Sequence, residues 1–280
     1  MLGDLTTSYL VCATPRSGST LLCEALKATG VAGCPEEYFE AVPATGARRR
    51  PRDYLAGLDD PEALALVGGD APGEQPAYSS LQGIERYAEH LERVREWGTT
   101  PNGVFGAKIM WSQLADLATL AAEDTKCRGL PHPQLLAHLF DEPRYVWVRR
   151  NDTVRQAVSL WRAMQTQFWR AAEEPPVARP GGPEPQYSFA ALRHLVGQLT
   201  ADDAAWERFF AEPAEPPLVL TYEELAADLP TMVRRTLEHL GIPCPEGPLP
   251  EPPMRRQSDE LSEAWVAAYV RDAAAQPSPT

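Results

Sequence analysis

Between Tyr9 and Leu22 the chain reads YLVCATPRSGSTLL: five apolar residues, a Thr-Pro break, five small or charged residues, then an apolar run of helical character. A buried strand must here turn sharply into a helix. The loop Thr14–Ser19 then aims several backbone N–H groups at one spot, beside the positive end of the helix dipole, which makes a site for a phosphate or sulfate. Gly18 lets the backbone approach such an anion, Ser17, Ser19 and Thr20 add hydroxyl donors, and Arg16 adds a full charge with a forked donor set. Small residues in this order also suit a plain strand–turn–helix, but Arg, Ser, Gly, Ser and Thr together are more than a turn requires.

The rest of the chain repeats the strand-then-helix rhythm. Short apolar runs at Tyr9–Ala13, Val104–Met110, Tyr145–Val148 and Leu218–Thr221 read as strands covered on both sides. Helical patterns read over Thr20–Thr29 (closed by Gly30), Ile84–Trp97, Leu135–Phe140, Asp152–Trp169, Phe189–Phe210, Glu223–Leu240 (closed by Gly241) and Ser262–Asp272. The alternation implies an α/β fold, a mainly parallel central sheet flanked by helices. Irregular Pro- and Gly-containing inserts at about 42–76 and 173–186 read as an entrance and a surface loop. Neither has the composition of a linker, so the expectation is a single domain over 1–280.

Charge and cysteine content narrow the partners. With 39 acidic against 26 basic residues the net charge is −13. A phosphate backbone would repel such a chain, so nucleic-acid binding is not expected and any nucleotide site must be built locally from clustered Arg. No run approaches the roughly 18 apolar residues of a membrane span, and no signal peptide is evident. Five widely spaced cysteines with no CxxC pair fit a reducing cytoplasm better than a disulfide framework or a zinc site.

The loop is not the nucleoside-triphosphatase pattern, which needs an earlier Gly and a Lys before Ser19. Magnesium-assisted phosphoryl transfer also wants an acidic metal ligand at the end of a second strand. The strand Tyr145–Val148 ends instead in Arg149-Arg150, suited to another phosphate. At this point a resemblance becomes specific. Pro15 to Thr20 (PRSGST) is similar to the 5′-phosphosulfate loop of PAPS-dependent sulfotransferases, with Arg16 where the usual form has Lys. Arg150 and Ser159 match the family's motif for the 3′-phosphate of 3′-phosphoadenosine 5′-phosphosulfate. Arg256 matches a further 3′-phosphate contact on a C-terminal loop, and Tyr222 begins a segment resembling the one that closes the adenine site. The stretches ATGVAG from Ala28, Glu37-Tyr38-Phe39, TPNGVFGAKIMW from Thr100 and QAVSLWRAMQT from Gln156 resemble the subgroup typified by mycobacterial trehalose sulfotransferase.

The resemblance implies a P-loop-like sulfotransferase fold, PAPS as co-substrate and PAP as product, no metal, a homodimer, and a small trehalose-like carbohydrate or glycosylated natural product as acceptor. It implicates Glu37 as the base that takes the acceptor's proton, with Arg16 on the transferring group and Glu36 and Glu40 as its local controls. The five His residues lie outside the matched motifs. Lys108, near the end of an otherwise apolar strand, is costly to bury unless paired. It either holds the acceptor or sulfuryl oxygens or makes a structural ion pair. At Asp152–Trp169, Arg155, Ser159 and Arg162 share a polar stripe opposite Val154, Val158 and Trp161, with Arg162 open to an acceptor contact. The alternatives are a P-loop-type small-molecule kinase and a non-catalytic nucleotide-binding homologue; intact Arg16, Glu37, Arg150, Ser159 and Arg256 speak against the latter.

Overall fold

The computed structural model describes residues 6–39, 50–67, 87–169, 184–212, 215–249 and 260–276. In chain order the elements are β1 (Thr7–Ala13), α1 (Ser19–Ala28), α2 (Pro61–Leu66), α3 (Tyr87–Gly98), β2 (Val104–Met110), α4 (Leu114–Ala121), α5 (His132–Phe140), β3 (Arg144–Arg149), α6 (Thr153–Thr166), α7 (Phe189–Phe210), β4 (Leu218–Thr221), α8 (Tyr222–Ala227), α9 (Leu229–Leu240) and α10 (Glu260–Ala274). Short 3₁₀ turns cover Pro51–Leu55 and Trp111–Gln113.

The chain packs as two compact units. The larger holds the sheet, whose four strands are all parallel in the order β2-β1-β3-β4. Strand parity then decides the layers. Leu10, Cys12, Phe105, Ala107, Ile109, Tyr145 and Trp147 bury on one face with residues of α3, α4, α5 and the end of α7. Tyr9, Val11, Val104, Val146, Val148 and Leu220 bury on the other with α1, α8 and α9. In β1, β2 and β3 alternate residues serve opposite cores, which is why they read as unbroken apolar runs; β4, expected to be covered on both sides, buries Leu220 but leaves Val219 40% exposed. The smaller unit has its own core, in which Val158, Trp161, Leu192, Leu195 and Trp265 are buried.

The chain leaves β1 for β2 on one side and later places β3 on the other. The sheet therefore reverses its order between β1 and β3, and ligands of open α/β sheets bind outside the strand carboxyl ends at such a switch point. The phosphate-type loop follows β1 and Arg149-Arg150 close β3, so both basic segments flank that crevice.

Several boundaries differ from the sequence reading. The span Glu223–Leu240 is two helices, because Asp228 leaves helical geometry (φ −152°) and its carboxylate caps Thr231 N–H at 3.1 Å, with Pro230 in the new first turn. The helix read from Asp152 to Trp169 stops at Thr166, where Gln167 turns left-handed, and Asp152 is its cap. Helix α4 follows so closely on β2 that the sequence reading passed over it. Residues 42–49, 68–76 and 173–183 of the two irregular inserts, together with Arg256 and Glu40, lie outside the described residues.

Candidate active site

The loop after β1 has features that suit an anion. Gly18 caps α1 with φ +91°, in the left-handed region, and its position offers the helix no side-chain cap; the first turn carries no acidic residue. The opening N–H groups of α1 are therefore without an intrahelical partner, as at any uncapped helix start. Arg16 also has a positive φ, 64°, a conformation that costs a non-glycine residue about 1 kcal/mol or more and clusters at functional sites. Ser17 is fully buried, and its Oγ finds no hydrogen-bond partner among the described residues. A buried hydroxyl left unpaired is costly, and an oxyanion in the loop would satisfy it.

The sheet and α7 fix the base of this loop. Trp206 Nε1 donates to the Ala13 carbonyl at 3.0 Å, and the Thr14 hydroxyl donates to Asp203 Oδ1 at 3.3 Å. Burial raises the Asp203 carboxyl above its ordinary range, with Arg149 and Thr14 opposing the shift.

Arg150, Tyr222 and Gly18 come together beside the loop. The Arg150 guanidinium stands 4.3 Å over the Tyr222 ring and donates to the Arg16 carbonyl at 3.5 Å. The same ring lies against Gly18 so closely that a Cβ there would fall 2.8 Å from Tyr222 Cδ2. Gly18 is thus required twice, by its backbone angle and by its neighbour.

A second group converges on Lys108. Parity along β2 turns this residue to the α1 side of the sheet, where it is only 2% exposed. Its ammonium lies 2.7 Å from Glu37 Oε1 and donates to Thr20 Oγ1 at 3.0 Å. Burial alone would push the lysine pKa down. The carboxylates of Glu37 and Glu36 and the Glu37 hydrogen bond outweigh it and raise the value, so Lys108 stays protonated. Glu37 sits there because residues 34–36 run along the sheet edge: Cys34 N–H donates to Gly98 O and Lys108 N–H donates to Glu36 O, each at 2.9 Å. The other carboxylate oxygen, Glu37 Oε2, accepts from Gln113 Nε2 at 3.1 Å. Neighbouring Glu36 points elsewhere, into an ion pair with Lys27, which also binds Glu24 at 2.7 Å.

With this arrangement in place, comparison with known proteins identifies its class. The family model of the Stf0 sulphotransferases matches residues 8–272. The chain belongs to that family. It is therefore an enzyme that transfers a sulfuryl group. Two relatives span almost the whole length. The trehalose 2-sulfotransferase of Mycobacterium tuberculosis (strain ATCC 35801 / TMC 107 / Erdman) is 38% identical over 275 residues, 95% of each chain. The trehalose 2-sulfotransferase of Mycolicibacterium smegmatis is 36% identical over 278 residues, 97% of each. Among solved structures, the sulfotransferase domain of the Synechococcus PCC 7002 olefin synthase aligns over 99% of this chain and 97% of its own, at 13% identity and a TM-score of 0.41.

In this Stf0 sulphotransferase the residues read from sequence gather into two clusters within the larger unit. Arg16, Gly18, Arg150 and Tyr222 form one; Thr20, Glu37 and Lys108 form the other, with Thr20 belonging to the loop itself. Ser159 lies on α6 in the smaller unit, half-buried. On the same helix Arg155 pairs with Asp152 at 2.8 Å and with Glu263, and Arg162 donates to Ser262 at 2.6 Å, so the polar stripe read from sequence faces α10. Val158 and Trp161 on the opposite stripe are buried. Sequence reasoning missed Gln113, whose only signal was an uncharged polar residue three positions past an apolar strand. It also missed that Asp124, Cys127 and His138 bring their ligand atoms within 4.8 Å of one another, since their spacing follows no metal motif. No described helix is long and apolar enough to cross a membrane.

Proposed function

We propose that the enzyme transfers the sulfuryl group of 3′-phosphoadenosine 5′-phosphosulfate to a hydroxyl of a small, trehalose-like carbohydrate or glycosylated natural product. The observation that carries this reading is the bridge made by Lys108. One buried ammonium holds both Thr20 of the anion loop and the Glu37 carboxylate, so the acceptor's base and the donor's loop form one hydrogen-bonded unit. The near full-length likeness to two trehalose 2-sulfotransferases supports the acceptor class.

The loop fits a phosphosulfate on the strength of its unpaired Ser17 hydroxyl, its uncapped helix start and the bare Gly18. Each residue then has a task. Glu37 accepts the acceptor hydroxyl's proton as the oxygen–sulfur bond forms. The bond from sulfur to the 5′-phosphate oxygen breaks, and the charge left on that phosphate meets Arg16, the loop N–H groups and the helix start. Lys108 remains protonated throughout, so it neutralises Glu37 before transfer and can favour the sulfuryl oxygens once Glu37 is neutral. Arg150, Ser159 and Arg256 take the 3′-phosphate, and the Tyr222 ring closes the adenine side. The whole chain works as one sulfotransferase domain, requires no metal and acts as a homodimer, as the subgroup resemblance implies. A cytoplasmic setting accords with all five cysteines being free thiols.

The test is Glu37→Gln, which keeps shape but removes the proton acceptor. Binding of PAP measured by calorimetry should stay near native. Transfer of radiolabelled sulfate to trehalose, or to whichever sugar gains one sulfuryl mass in a screen, should fall roughly 10²–10⁴-fold. Turnover within a few-fold of wild type would remove Glu37 from the role of base.

A further inference from the structure

Among the described residues, two donors of different kinds grip Glu37, one on each oxygen. Lys108 supplies a charge at Oε1 and Gln113 a neutral amide at Oε2. The amide's direction is not arbitrary. Gln113 is 3% exposed, and its Oε1 already accepts the Met110 backbone N–H at 2.9 Å. An amide whose oxygen is spoken for by a backbone donor must present its NH₂ to the remaining partner. The short turn Trp111–Gln113 directly after β2 therefore hands its last side chain back over the strand end, locked at both ends.

We infer that Gln113 is a positioning residue for sulfuryl transfer: it fixes the plane of the Glu37 carboxylate and keeps it ionised, acting through Glu37. This rests on the reading of Glu37 as base. Two donors at separate oxygens restrain rotation about the last side-chain torsion, which a single donor restrains less. A donor to the ionised form also favours that form over the protonated one. Gln113 thus ties base readiness to the strand end that carries Lys108.

The groups facing Glu37 allow the effect to be read from pH. Among the described residues these are Lys108 on β2, Cys23 on α1 and Glu36 beside it, with Lys27 on α1 paired to Glu36. Burial, chiefly, pushes the Cys23 thiol up to about 12. Lys27 is raised despite its burial by Glu24 and Glu36. Neither lysine nor the thiol changes charge between pH 4 and pH 8, so an acid limb of the rate profile in that range reports the carboxylates.

The experiment is a pH profile of kcat and kcat/KM for Gln113→Glu and Gln113→Met, beside wild type and Glu37→Gln. Gln113→Glu keeps an oxygen for the Met110 N–H but sets a carboxylate against Glu37, so the acid limb should move up by about one pH unit or more. Gln113→Met is uncharged and of similar length; it guards against a failure to fold, and its limb should move up by a smaller step. In both, kcat should fall about tenfold at neutral pH, with PAP affinity within about twofold of native. A purely structural Gln113 would lower the melting temperature and scale the rate evenly at every pH, leaving the limb in place; that result overturns the inference. Loss of the limb in Glu37→Gln with no shift in either Gln113 variant sinks Gln113 alone. An acid limb that persists in Glu37→Gln sinks the base assignment on which it rests.

Discussion

Lys108→Met isolates the bridge between Thr20 and Glu37, because methionine fills nearly the same volume without the charge. The wild-type ammonium is 2% exposed, while the Glu37 side chain is 24% exposed. Breaking a fully buried pair by deleting one partner costs about 3–5 kcal/mol. Water reaching a quarter of Glu37 reduces that toward about 2–3 kcal/mol, and Thr20 loses a donor in addition. For a chain of 280 residues each kcal/mol moves the melting temperature by about 2–4 °C, so Lys108→Met should melt about 4–12 °C lower. Glu37→Gln made in the Lys108→Met background removes the stranded carboxylate and should restore about 1–2 kcal/mol, a coupling of the size contacting residues show. The pH dependence has a definite sign. Lys108's pKa is raised above its ordinary 10.5, so its contribution is complete below that value and fades as pH rises through the higher, folded-state pKa. The gap between wild type and Lys108→Met should be level from pH 6 to pH 9 and narrow only beyond about 10.5. Calorimetric melting of the four proteins decides the matter. Costs that add to within about 0.5 kcal/mol would mean Lys108 and Glu37 do not act as a pair.

Two further outcomes probe the donor side. Arg150→Ala should weaken PAP by about 1.5–3 kcal/mol in calorimetry and leave the same nucleotide without its 3′-phosphate nearly unaffected, because only the first has a charge to lose; equal losses would reduce Arg150 to its stacking on Tyr222. Activity should survive EDTA, since Arg16, the loop N–H groups and the start of α1 supply the positive charge; a strict metal requirement would refute that and direct attention to Asp124, Cys127 and His138.

The sheet was legible because β1, β2 and β3 are buried on both faces and so read as apolar runs, while β4 reads as one although Val219 is 40% exposed. Val104–Met110 and Leu218–Thr221 agree with the structure to the residue, and the other two strands lengthen by one or two at their ends. Helix breaks were harder. Asp228 belongs to an otherwise amphipathic stretch, and its capping of Thr231 competes with continuing the helix only because Pro230 has no N–H to give. Periodicity ran through the break since both halves bury Leu225, Met232, Val233 and Leu237 against the same side of the sheet.

The two halves of the site were legible to different degrees, for a physical reason. The anion loop is local: strand, turn and helix start lie within Tyr9 to Thr20, so residue order alone specifies where the N–H groups point. The proposed base is not local. Glu37 contacts a lysine 71 positions later and an amide 76 positions later, brought to them by the bond from Lys108 N–H to Glu36 O at the edge of β2. A lysine in an apolar strand announced that some carboxylate had to meet it, and strand parity now shows why that carboxylate comes from the α1 side. An uncharged glutamine gave no such warning, because burying an amide leaves no unpaired charge to be explained. A neutral residue that orients a base is for this reason the kind a sequence conceals best, and Gln113, in the role we infer for it, lies just past the strand that carries the visible charge.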